Sequence, residues 1–135
     1  MKMNGRVGLG IIVRDAAGNV LASSAQRVLA GFSIESAEAM AVCKGLLFAE
    51  DSGLLPVLVE TDALVVVNFI KSGRAPLSDV GLIIDDILRF LDRNPSCKVA
   101  FVPIWLLIIL PNSAYLFLVI YFCWRRFLRV CFPLL

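Results

Sequence analysis

No histidine occurs anywhere in the 135 residues, and no aspartate or glutamate follows Asp92. Cys43, Cys97, Cys123 and Cys131 show no CxxC spacing. Without histidine, zinc sites of the usual kinds therefore have too few ligands. The thiols read instead as free cysteines of a reducing, intracellular compartment. The opening MKMNGRVGLG has no apolar h-region and so is not a secretory signal peptide. Charge is short in only one part of the chain. Up to Lys98 there are ten basic and eleven acidic residues, a balance of about −1, whereas from Val99 onward there are three arginines and no acid. The net charge of +2 thus comes from the tail and gives no sign of a basic nucleic-acid groove. The 59% hydrophobic content averages these two unlike segments, and the length suits one domain around one core.

What is present reads as an alternating α/β text. Gly5 to Arg14 contains the β-rich run Leu9 to Val13, and Asp15-Ala16-Ala17-Gly18-Asn19 supplies turn chemistry before a second run, Val20 to Leu29, which predicts a hairpin. Asp15 is expected to bond turn backbone, and Gly18 to take positive φ. Glu35 to Asp51 is a predicted helix in which Glu38, Ala41, Val42, Gly45, Leu46 and Ala49 follow the i, i+3, i+4 spacing of a buried stripe. Gly53 turns the chain, and Val57 to Thr61 is a short run of strand formers ending at Asp62. A helix opening at Asp62, a loop over Ser72 to Pro76, a helix over Val80 to Leu91 and a last strand over Cys97 to Val102 complete the order.

Two carboxylates stand where such a unit builds sites. Glu38 heads the helix stripe that should face the core, and Asp62 lies at the carboxyl end of a strand, where open α/β sheets bind ligands. Simpler roles compete for both. Glu35 and Glu38 suit the positive end of a helix dipole after a cap at Ser33 or Ser36, and Asp62 is itself a good N-cap. Asp85 and Asp86 read as a solvated helix face.

The segments GRVGLGIIVRDAAGNVLASS, ESAEAMAVCKGLLFAEDSG, VLVETDALVVVNFI, SDVGLIIDDILRFL and CKVAFVP, in this order and spacing, resemble the ribonuclease H-like domains of plant and retroelement-derived reading frames. The resemblance covers about residues 5 to 103. It implies a five-stranded mixed sheet flanked by helices and cleavage of the RNA strand of RNA–DNA hybrids, with two magnesium ions held by acids. Glu38 matches the family's helix carboxylate and Asp62 its strand-end aspartate. Both are therefore candidate catalytic and metal-ligating residues, with Mg2+ as cofactor and an RNA–DNA hybrid or other nucleic acid as partner. Hard divalent ions seek such oxygens, and a close pair of ions can stabilise both the attacking and the leaving oxygen.

Two departures shape the expectation. The family's first acid lies on a central strand ahead of the hairpin, but only Met1 to Asn4 precede Gly5. The domain, residues 5–102, is thus expected to lack that strand, leaving a gap between the hairpin and the Asp62 strand or forcing the neighbours to close up. After Val102-Pro103 the family's asparagine-containing loop and acid-bearing helix are replaced by an apolar tail, residues 103–135. The 26 uncharged residues between Lys98 and Arg125 are long enough to cross a bilayer, with Arg125, Arg126 and Arg129 at an interface, so residues 103–124 are a candidate membrane segment. Pro103 and Pro111-Asn112-Ser113 interrupt it. A translated non-homologous sequence and a buried helix are the alternatives. The function expected is an RNA–DNA hybrid nuclease with an incomplete active site, the alternative an inactive nucleic-acid-binding or membrane-associated fragment.

Overall fold

The computed structural model describes residues 7–28, 33–103 and 116–123. Two strands form the hairpin, β1 (Val7–Arg14) and β2 (Val20–Val28). They are followed by α1 (Ile34–Asp51), β3 (Val57–Thr61), α2 (Leu64–Ser72), α3 (Asp79–Arg93), β4 (Lys98–Phe101) and β5 (Leu116–Cys123). The predicted order is thus realised, with one further strand drawn from the apolar tail.

The hairpin closes as its turn chemistry dictates. Asp15 Oδ1 accepts from the backbone N–H groups of Ala17 and Asn19 at 2.9 and 2.8 Å, and Oδ2 accepts from Asn19 Nδ2 at 3.0 Å. Gly18 takes φ +88°, which L side chains rarely adopt. One irregularity of register, between Val13 and Arg14, follows from pairing Arg14 with Val20 rather than Leu21.

All five strands form one sheet in the order β2-β1-β5-β3-β4. Of the two expected outcomes, a gap or a closing-up of β1 on β3, neither occurs. β5 lies between the hairpin and β3, antiparallel to β1 from Gly8↔Cys123 to Arg14↔Phe117 and parallel to β3 from Val57↔Leu116 to Glu60↔Val119. The physical reason is edge pairing: without β5, β1 and β3 would each expose a row of backbone donors and acceptors in the middle of the molecule. The membrane reading is corrected here as well. Among the described residues no helix is long and apolar enough to cross a bilayer, and residues 116–123, assigned to the candidate span, are a strand. The other parts of that span, residues 104–115 and Trp124, lie outside the described residues.

Alternate positions of the sheet explain where the core sits. Leu9, Ile11 and Val13 on β1 and Val57 and Val59 on β3 are fully buried, and they join Ala39, Ala41, Val42, Leu46 and Ala49 of α1 in one core with Ile84, Ile87 and Phe90 of α3. The predicted α1 stripe is buried except for its first member, Glu38. The small residues Ala41, Gly45 and Ala49 let α1 lie close across β1, β5 and β3 while α3 packs against it. Of the large apolar residues on α3, Ile84 and Ile87 are buried and Ile83, Leu88 and Leu91 only partly so. Val80, Gly81 and Phe90 take the remaining buried places. A Cβ at Gly81 would meet the Pro76 carbonyl oxygen at 1.7 Å, so glycine there is what lets α3 start against its preceding loop.

Candidate functional site

The site is built at the carboxyl end of β3. Thr61 is buried, and its hydroxyl accepts the Ala63 N–H at 3.2 Å, while its carbonyl accepts from Val102 N–H at 2.9 Å. These bonds fix the backbone on either side of Asp62, whose carbonyl accepts from Leu64 N–H at 3.0 Å. Helix α2 opens at Leu64 with Ala63 as its N-cap residue and no side-chain capping bond. The capping role open to Asp62 is therefore not the one it plays. Its side chain is exposed, and among the described residues its carboxylate accepts no hydrogen bond.

Glu38, on α1, feels the charge of Asp62. Ser33 is the N-cap and accepts from Ser36 N–H at 3.1 Å, which makes Glu35 the acid of the first turn and puts Glu38 beyond it. Dipole stabilisation fades after the first turn, so it explains Glu35 better than Glu38. Glu38 is half-buried, and its carboxyl is held above the ordinary range by burial first, then by the negative charges of Asp62 and Glu35. The two carboxylates singled out in the sequence are thus brought close enough to repel each other. Among the described residues neither carboxylate forms an ion pair, and like charges so gathered form an arrangement suited to a cation.

The donor set decides which cation chemistry is open. Mg2+ is commonly held by one or two carboxylates, retained waters and substrate phosphate oxygens. Glu38 and Asp62 fit a single ion held in that way. They do not fit a two-ion centre, because among the described residues no group of three or more His, Cys, Asp or Glu residues is placed to hold a metal. The central strand beside β3, LFLVIYFC, carries no acid.

Glu60, on β3 two residues before Asp62, is already engaged. It is buried on the second face of the sheet, and its Oε2 accepts from Arg14 Nη2 at 3.3 Å. Burial nevertheless outweighs the guanidinium and leaves the Glu60 carboxyl above its ordinary range. The sequence signal for this pair was faint: Glu60 is the one charged residue in an otherwise uncharged strand, and nothing local names Arg14, 46 residues away, as its partner.

Fold and site together define a mixed α/β domain with a carboxylate pair at a strand end. The reverse transcriptase-like family, of ribonuclease H-like type, matches residues 2–104, and the chain belongs to it. No curated protein and no solved structure gives a match. The matched range ends before β5, so the strand at the centre of the sheet comes from outside it.

Proposed function

We propose that this domain binds RNA–DNA hybrid or a related nucleic acid in the manner of a ribonuclease H-like domain and hydrolyses it slowly or not at all. The observation that carries this reading is that Glu38 feels the charge of Asp62, while among the described residues no group of three or more acids is placed to hold a metal. Family membership supports a nucleic-acid-related domain, and the plant or retroelement type suggested by the sequence belongs to the same proposal. Glu38 and Asp62 are the residues that would hold one Mg2+. When bound, the ion would neutralise phosphate charge and polarise a phosphorus–oxygen bond. One ion would relieve the repulsion between the two carboxylates, whereas a second ion beside it would need further anionic oxygen that these residues do not supply.

The test is cleavage of a labelled RNA–DNA hybrid in Mg2+ or Mn2+, set beside binding of the same hybrid and of the Asp62→Asn chain. The expected result is salt-dependent binding with turnover near background, and weaker Mg2+ binding after Asp62→Asn. Robust turnover that Asp62→Asn abolishes would show that the site is complete and that other residues build it. Absence of any hybrid binding would overturn the nucleic-acid reading altogether.

A further inference from the structure

A second feature has no part in that chemistry. Between α1 and α3 lies a half-open hollow of about 600 Å3. Its wall includes Cys43, Leu47 and Phe90, and its rim carries Asp86, Arg89, Asp92 and Arg93. Leu47 remains 43% exposed there. The rim holds two carboxylates and two guanidiniums, a balance poorly matched to a polyanion, since half of the charges would repel phosphate. Among the described residues none of the four lies in an ion pair, although their helical spacings of three and four residues would permit it. Exposed apolar surface rimmed by unpaired charges of both signs suits a protein partner with the opposite arrangement.

One such arrangement belongs to the chain itself. Asp86 and Arg93 are two helical turns apart on one stripe of α3, about 10 Å at 1.5 Å per residue. When two copies of such a helix meet antiparallel about a two-fold axis, position i of each faces position j of the other, and the contact is made twice. An axis beside Arg89 and Phe90 sets Asp86 opposite the second copy's Arg93, and Arg93 opposite its Asp86. Arg89, nearest the axis, is flanked on its own helix by Asp86 and Asp92. We propose that the α1–α3 face is a homodimer interface, with α3 antiparallel to α3 of the second copy and the Asp86–Arg93 contact made twice around Leu47.

Light scattering and sedimentation equilibrium of the full chain test this. The expected result is a concentration-dependent dimer. Asp86→Arg and Arg93→Asp should each weaken it by about tenfold or more, because either change sets like charges opposite each other at both contacts. An equimolar mixture of the two variants should dimerise again, since both contacts in the mixed pair are between opposite charges. Recovery on mixing also shows that each variant folds. A chain monomeric up to ~100 µM, a dimer indifferent to both reversals, or a mixture that associates no better than its parts would each overturn the proposal.

Discussion

Arg14 and Glu60 meet at 3.3 Å across a strand to which neither belongs. Arg14 pairs in register with Phe117 and Glu60 with Val119, so their side chains close over β5 from its two neighbours. Arg14 is 13% and Glu60 4% exposed, which makes the bond a largely desolvated one. Arg14→Met should cost about 2–4 kcal/mol, because it leaves a buried carboxylate without its guanidinium. Replacing both residues by methionine should recover much of that loss. Glu60 has a folded pKa raised above 4.5, so its contribution is present below that value and is lost as pH rises through the folded one. Without Arg14 the fall should extend to higher pH. Urea denaturation of the parent, Arg14→Met and the double variant across pH 4 to 8 checks both statements.

Glu38 follows the same sign for a different reason, since its charge meets repulsion rather than a partner. Its raised pKa means that stability is full below 4.5 and declines as pH rises through the folded value. Glu38→Gln should therefore match the parent near pH 4 and exceed it at pH 7, by about 2–4 °C in Tm. Asp62→Asn should bring the Glu38 pKa down by removing the larger of the two charge repulsions on it. A carboxyl titration by NMR reads this directly, and a Glu38 midpoint unmoved by Asp62→Asn would separate the two residues.

Asp15 runs in the opposite direction. The Asn19 side chain, the Asn19 backbone and further turn N–H groups hold its carboxyl below 3.8. Its contribution is therefore present above that value and lost as pH falls through the folded one. Asp15→Ala should lower the thermal midpoint at pH 7, and the two midpoints should converge below about pH 3. Asp15→Asn keeps an acceptor for the Ala17 and Asn19 N–H groups and should lose less. Neither change should alter Mg2+ affinity, since Asp15 serves the turn; a large loss would move it into the site.

A proline in the central strand offers the sharpest test of the sheet order. Val119→Pro removes a donor from a strand paired on both sides and should cost at least about 3 kcal/mol. Circular dichroism and a denaturation midpoint provide the measurement. An unchanged midpoint would show that residues 116–123 do not join the two halves of the sheet.

The legible parts of the chain were those specified by neighbours in sequence. Asp15 and Gly18 announced their turn, and Val57 to Thr61 a strand with the bounds that the fold shows; the cap of α1 was open between Ser33 and Ser36, and the fold uses Ser33. Glu38 and Asp62 stood out because a carboxylate heading an apolar stripe or ending an apolar strand needs a reason. β5 was not legible. A continuous apolar run has no period to separate strand from helix, and its partners, Gly8 to Arg14, lie more than a hundred residues earlier in the chain. The loss of the Asp62 cap was equally hidden, because it depends on where the Thr61 hydroxyl turns.

The place of β5 in the sheet also sets an order in time. The strand at the middle of the sheet is the last described element to be synthesised. Until residues 116–123 emerge from the ribosome, the hairpin and the β3–β4 pair have no strand between them to join, and each presents an open edge to whatever other chain is near. Most of the sheet's pairing then waits on contacts between distant parts of the sequence, the kind that folds slowly. For this chain the interval between making residue 101 and making residue 123 is the period of greatest exposure to misassembly, and a holding chaperone would matter most during it.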